Sequence, residues 1–249
     1  WLKAMEVRIH CSACYGWFYR SIIPRCFPDK RVGDDQLSAW RSTRTGNLAD
    51  ALATLERIYE GCATDGPNST LAILSADRLS GHGLTYGELT PAGFLKLLRY
   101  VNAKPGQRFY DLGSGTGKLV MLAWLLGLDS TGIEIVRERW AISCEMGRQL
   151  SEQCGHAGAP RCIHDDFVNV DFSDADLVFA NSLMFPKAVL ARLAQVAASM
   201  RLGSLIVTDA EGRDPAISGS GLQLVRTISL ETTWSAHISF AVHRVVPRR

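Results

Sequence analysis

The chain predicts an α/β protein: a mostly parallel seven-stranded sheet with an antiparallel final strand, covered by helices and preceded by a mainly helical N-terminal region. Three observations predict it. From residue 90 onward, segments with apolar residues at helical spacing alternate with short β-rich runs, the order of a sheet whose parallel strands are joined by helices. A glycine-rich turn, Asp111-Leu112-Gly113-Ser114-Gly115-Thr116-Gly117, directly follows the first of those runs. An acid, Glu134, stands near the end of the next run, roughly 20 residues past the turn, where open α/β sheets hold a ribose.

Residues 1–85 read as one region and residues 86–249 as another. The opening stretch mixes aromatics, cysteines and prolines without a clear period. Leu48, Leu52, Leu55, Ile58 and Tyr59 then recur at helical spacing, and Thr64 to Ser69 is a turn rich in Gly, Pro and Asn. The second region opens with Tyr86-Gly87-Glu88-Leu89-Thr90-Pro91. Pro91 occupies a favoured first helical position behind Thr90, and Phe94, Leu95, Leu97, Leu98 and Val101 supply an apolar face. The pattern then gives a strand at 107–111, a helix at 116–127 stopped by Gly127, a strand at 131–135, a helix at 137–153, strands at 161–165 and 176–180, a helix at 186–200 and a strand at 204–209. Two last runs, near 222–231 and 236–246, follow one another across a short turn. They predict an antiparallel finish at one sheet edge.

Composition bounds the protein class. The 249 residues, 47% hydrophobic and 21% charged, are enough for a substantial core. No apolar run approaches the ~20 residues that cross a bilayer, and Trp1 to His10 carries Lys3, Glu6 and Arg8 with no signal-peptide core. The expectation is an intracellular protein without membrane contact; an opening at Trp1 leaves room for an upstream segment. Seven scattered cysteines, an odd number, fit reduced thiols. His10, Cys11, Cys14 and Cys26 contain one CxxC without the second half of a zinc pattern, so no metal is expected. The net charge of +2 does not by itself predict nucleic-acid binding.

The turn carries the chemistry. Its glycines let backbone approach a ligand, and many nucleotide sites use related turns. Here the spacing is GxGxG where dinucleotide sites have GxGxxG, and an Asp starts it. Asp111 would repel a pyrophosphate but suits a cationic amino-acid end, which favours S-adenosylmethionine (AdoMet) over a nicotinamide cofactor. Asp165-Asp166-Phe167 closes the third strand, where a carboxylate can accept from an adenine amino group and a ring can pack on the base. Asn181 ends the fourth strand after Phe179 and Ala180, where the transferred group would lie. Taken singly, the Asp reads better as the start of a turn or a helix cap, and Asn181 can equally be a turn residue.

Together, YGELTP, FYDLGSGTGKLV, GIEI, DDF and FANSLMF resemble the Dot1 family of histone H3 lysine methyltransferases, which are class I, Rossmann-like and unrelated to the SET type. The resemblance spans about residues 80 to 210 and, more loosely, the closing strands. The glycine turn is shared with many class I methyltransferases, whereas the YGEL segment upstream and Asn181-x-x-x-Phe185 are more specific. The resemblance implies a nuclear enzyme that uses AdoMet, releases S-adenosylhomocysteine and methylates a lysine in the globular core of histone H3. Its partner would be the nucleosome, with a possible non-specific DNA contact. It implies that Tyr86 and Glu88 belong to a loop closing over the methionine part of AdoMet, that Asp111, Gly113, Ser114, Gly115 and Gly117 form the cofactor turn, that Glu134 holds the ribose and that Asp166 and Phe167 hold the adenine. It also puts Asn181, with Tyr86, at the reacting centre, and Phe179 and Phe240 along the lysine channel.

The chain departs from the family pattern in places. Lys118 stands where an amide is usual, Ser182 replaces the second Asn of an Asn-Asn pair, and Phe240 stands in for a channel tyrosine; no lysine-rich tract lies within the 249 residues. Residues 1 to 80 do not match the family pattern, so the chain reads as a compact, divergent member. Other readings stay open on sequence alone: a class I methyltransferase for another protein lysine or a small molecule, or a catalytically idle chromatin-binding AdoMet fold. An adenine-amino methyltransferase is disfavoured, because Asn181-Ser182-Leu183-Met184 lacks the expected prolines.

Overall fold

The computed structural model describes residues 43–60, 62, 88–155, 158–183, 185, 187–210 and 221–247. The expectations for residues 1–42 (among them Cys11, Cys14 and Cys26), for the turn at 64–69, and for Tyr86 and Gly87 lie outside these residues. Helix α1, Leu48–Ile58, starts where Asn47 caps it, its side chain accepting from the Asp50 amide. Its apolar stripe, Ala51, Leu52, Leu55 and Ile58 with Tyr59 just beyond, buries into the same core as the sheet. The described part of the N-terminal region is thus one layer of the main fold.

Helix α2, Pro91–Tyr100, carries Pro at its start and is capped by Thr90, whose hydroxyl accepts from Gly93 N at 3.0 Å. The alternating unit follows: β1 (Arg108–Leu112), α3 (Lys118–Leu125), β2 (Asp129–Glu134), α4 (Arg137–Cys154), β3 (Arg161–His164), β4 (Leu177–Ala180), α5 (Lys187–Ala197), β5 (Leu205–Asp209), β6 (Leu222–Leu230) and β7 (Ile238–Val245). A one-turn 3-10 helix, Phe167–Asn169, lies between β3 and β4. The strands form one sheet in the order β3-β2-β1-β4-β5-β7-β6. The first five pair in parallel, and β7 runs antiparallel to both its neighbours. The antiparallel finish is as expected, with β7 inserted between β5 and β6 so that β6 forms the edge.

Alternation along the strands separates two cores. Phe109, Leu177, Phe179, Val207, Phe240 and Val242 face α1 to α4, while Tyr110, Leu112, Val178, Ala180 and Ile206 face α5. Helix α3 is buried at every residue from Leu119 to Leu125, as a helix apolar all round must be. The chain leaves β1 toward β2 on one side and returns to β4 on the other. This reversal opens a crevice at the strand C-termini, the usual ligand position in such sheets.

Candidate cofactor and substrate site

The glycine turn is stitched to β2 and α4 by backbone bonds and one carboxylate. Gly113 N and Ser114 N both donate to the Ile133 carbonyl, at 2.8 and 3.0 Å, and Gly117 N donates to Ser114 O at 2.9 Å. Glu134, buried at the end of β2, accepts from Gly115 N on one oxygen and from Val136 N on the other, each at 2.7 Å. Burial nevertheless pushes its carboxyl above the ordinary range, against the lowering effect of these donors and Arg139. The Ile135 amide is a third backbone donor to it, so of the about four acceptor positions of an ionised carboxylate about one stays available for a hydroxyl of a ligand. Close packing explains two of the glycines. Gly117 has φ +85° and a Cβ there would lie 2.7 Å from Ser143 Cβ, while a Cβ on Gly132 would lie 2.6 Å from Ser114 Oγ.

A second cluster closes the other side of the turn. Asp111, on β1 opposite Gly132, is buried and its carboxyl is held well above the usual carboxylate range, by burial first and then by the charges of Glu88 and Glu134. Glu88 pairs with Lys118 Nζ at 2.7 Å, with the two side chains only 11% and 18% exposed, and accepts from Thr116 Oγ1 at 3.4 Å. Tyr59 of the N-terminal region reaches this cluster: its hydroxyl donates to Thr116 O at 2.7 Å, and Lys118 Nζ lies 5.8 Å from its ring centre. Sequence reading identified Asp111, Glu88 and Glu134. It missed Tyr59, which is 57 residues from Thr116, and noted Lys118 only as a departure. An aromatic residue ending an amphipathic helix looks like core, and no local signal points it at a distant turn.

Asp166, Phe167 and Asn181 follow the C-terminal ends of β3 and β4, whereas Phe179 and Phe240 lie within the sheet. Asp166 caps the 3-10 helix, its side chain accepting from Val168 N at 3.1 Å; Phe167, half-buried, stacks on Phe185 at 5.2 Å between ring centres. Leu112 of β1 pairs with Ala180 of β4, so Gly113 and Asn181 leave the sheet side by side. Ser182 next to it is buried and accepts from Asp209 N at 3.0 Å, so the residue that departs from the Asn-Asn pattern ties β4 to β5. Phe179 and Phe240 pack on each other at 5.6 Å in a tilted pair. Both rings are almost fully buried among core residues.

Among the described residues no group of three His, Cys, Asp or Glu could hold a metal ion. Three carboxylates gathered beside a glycine turn that is buried from Ser114 to Gly117 and exposed at Gly113 suit a ligand with a cationic end and a diol. They would repel a phosphate. The donor set therefore fits an amino-acid-bearing nucleoside, the class of group that the turn predicted.

Sheet order, central glycine turn and antiparallel seventh strand define a class I methyltransferase fold. Solved structures agree on the fold: magnesium protoporphyrin IX methyltransferase from Synechocystis PCC 6803 has a TM-score of 0.51 at 15% identity, covering 88% of this chain and 100% of that one. TrmN from Thermus thermophilus gives 0.50 at 19% identity, covering 74% and 55%. Within this fold the family is specific: the model of the family described as "Histone methylation protein DOT1" matches residues 77–218, more than half of the chain. The chain belongs to the Dot1 family. Among its relatives, a protein of Caenorhabditis elegans named "Histone-lysine N-methyltransferase, H3 lysine-79 specific" is 28% identical over 190 residues, 71% of this chain and 19% of that protein. A protein of the same name from Cryptococcus neoformans is 31% identical over 145 residues, 52% of this chain and 22% of that protein. The chain spans only about a fifth of the length of these relatives.

Proposed function

We propose that the protein is an AdoMet-dependent lysine N-methyltransferase acting in the nucleus on a lysine in the globular core of histone H3, within the nucleosome. The observation that carries this reading is the family match over residues 77–218, the stretch that also supplies the acidic crevice. Bound AdoMet supplies a methyl group on a cationic sulfonium, open to in-line attack by a neutral amine. In this reading Asp111 and Glu88 bind the amino-acid end, Glu134 the ribose hydroxyls, and Asp166 with Phe167 the adenine. Tyr86 completes the cover, and Gly113, Ser114, Gly115 and Gly117 shape the turn. Asn181 orients the substrate amine at the crevice mouth, and Phe179 and Phe240 form the apolar wall behind it.

The chain needs no dedicated base in this account. A lysine amine has an ordinary pKa of ~10.4, and transfer from water into an apolar, aromatic surrounding favours its neutral form. The remaining work is alignment and exclusion of water. A direct test compares methyl transfer from labelled AdoMet to recombinant nucleosomes, free histone H3 and H3 peptides. Transfer to nucleosomes well above that to peptides is expected. Transfer to a peptide or small molecule alone, or nucleosome binding without turnover, would replace this reading with the corresponding alternative.

A further inference from the structure

Behind the glycine turn, helix α4 and strand β3 bring two thiols together. Cys144 and Cys162 are both free and half-buried, and their side chains are hydrogen-bonded to each other. The backbone fixes this meeting. Trp140, one turn before Cys144 and so on the same helix face, donates its indole N–H to the Cys162 carbonyl at 3.1 Å. Cys162 packs on the core that α1 to α4 share with the sheet, which puts its thiol on the side that α4 covers. A further contact leads from the thiols to the turn. The Ser143 hydroxyl is hydrogen-bonded to the Cys162 thiol and donates to Trp140 O at 2.8 Å. Ser143 is itself buried against Gly117, where an added Cβ would lie 2.7 Å from Ser143 Cβ. Cys162 also pairs with Gly132, the strand position pressed against Ser114. One close-packed layer therefore separates the two sulfurs from the turn, and such layers transmit displacement.

We propose that Cys144 and Cys162 are an oxidative modification site that closes to a disulfide and thereby weakens cofactor binding at the turn. Its effect on the cofactor rests on the AdoMet reading above. The oxidant is a peroxide. The Cys144 thiolate attacks the O–O bond, giving a sulfenic acid and one water; the Cys162 thiol then displaces the sulfenic oxygen as a second water and forms the S–S bond. Two thiols lose two electrons and one hydrogen peroxide becomes two waters. Cys144 attacks first because burial lifts the Cys162 thiol furthest, to about 11. Burial raises the Cys144 thiol as well, so thiolate is scarce, the pair rests reduced, and only sustained exposure to oxidant closes it. A disulfide bond is about 2.05 Å long, shorter than any hydrogen bond between sulfurs. Closure draws α4 toward β3 and shifts Ser143 against Gly117, and a small dithiol reverses it by exchange.

The test treats the wild-type protein, Cys144→Ser and Cys162→Ser with hydrogen peroxide. Each is digested without reduction for mass-spectrometric mapping and titrated with AdoMet by calorimetry before and after dithiothreitol. Wild type is expected to yield a linked Cys144–Cys162 peptide lighter by the lost hydrogens, and to lose AdoMet affinity by about tenfold or more until dithiothreitol restores it. Both serine variants should bind AdoMet within about 2-fold of reduced wild type and hold that affinity through peroxide. Absence of the linked peptide from oxidised wild type overturns the proposal, as does a complete link with unchanged affinity. Equal loss in the serine variants assigns the effect to other thiols and overturns it too. Where one serine variant fails to fold, the other and the wild-type mapping decide. Should reduced wild type bind no AdoMet, the cofactor reading fails and the coupling with it, while the mapping still decides whether the two thiols pair.

Discussion

Asp111 is an acid kept where acids are costly. Burial and two neighbouring carboxylates hold its pKa well above the usual carboxylate range, so the folded protein holds a proton there to higher pH than the unfolded chain, whose Asp titrates near ~3.9. Its contribution to stability is full below that value and is lost as pH rises through the folded pKa. Asp111→Asn should therefore raise the thermal midpoint at pH 7 and flatten its pH dependence in that window, while weakening AdoMet binding by at least about tenfold, ~1.4 kcal/mol. Parallel melting curves and calorimetry check both signs. Asn181 should separate the other way: alanine there is expected to lower kcat by ~100-fold or more with the melting point within about 3 °C of wild type, since the residue lies beyond the end of β4 and outside the buried core. His164 stacks on Trp140 at the surface, and His164→Ala should keep appreciable turnover. Complete loss with AdoMet binding intact would show that a base is required after all.

At the scale of elements, capping and close approach decide what the sequence can change. Gly93 in the first turn of α2 faces the backbone of the segment after β6, where an added Cβ would come 2.2 Å from Glu231 O. Gly93→Ala should cost about 2–3 kcal/mol by forcing the helix off the sheet, measured by urea denaturation. Thr90→Ala, which removes the cap and the hydroxyl's 3.4 Å contact with Glu231 O, should cost about 1 kcal/mol. The helix ends and the glycine turn were readable because their signals are local: Thr90 before Pro91, Gly127 after α3, Asp111 opening three spaced glycines. The place of β7 was less so. Adjacent runs at 222–231 and 236–246 suggest a hairpin, but which strand lies inside depends on pairing with β5. A trace of the answer lies in composition: Phe240-Ala241-Val242 is continuously apolar, as an interior strand is, whereas Gln223 to Thr227 on β6 is exposed. Contacts such as Tyr59 with Thr116, or Lys118 with Glu88, join distant segments and carry no sequence period.

Over the whole molecule, the sheet divides labour between its faces. One face buries α1 to α4 and carries Asp111 and Glu134 from β1 and β2 into the crevice. The other, packed by α5, is apolar support. Because α1 shares the first core and Tyr59 touches the glycine turn, Tyr59→Phe should cost about 1 kcal/mol through its lost hydrogen bond and, if the turn binds AdoMet as proposed, lower cofactor affinity as well, readable by denaturation and calorimetry on one protein batch. The modest net charge of +2 gives little general attraction to DNA, so affinity for nucleosomes in this account comes from the histone surface as much as from phosphate. The most direct test of the central claim is mass-spectrometric mapping of methyl groups after recombinant nucleosomes are incubated with the protein and labelled AdoMet. The account predicts label on a lysine of the globular core of H3, and label confined to tail lysines, or absent from every histone, would contradict it.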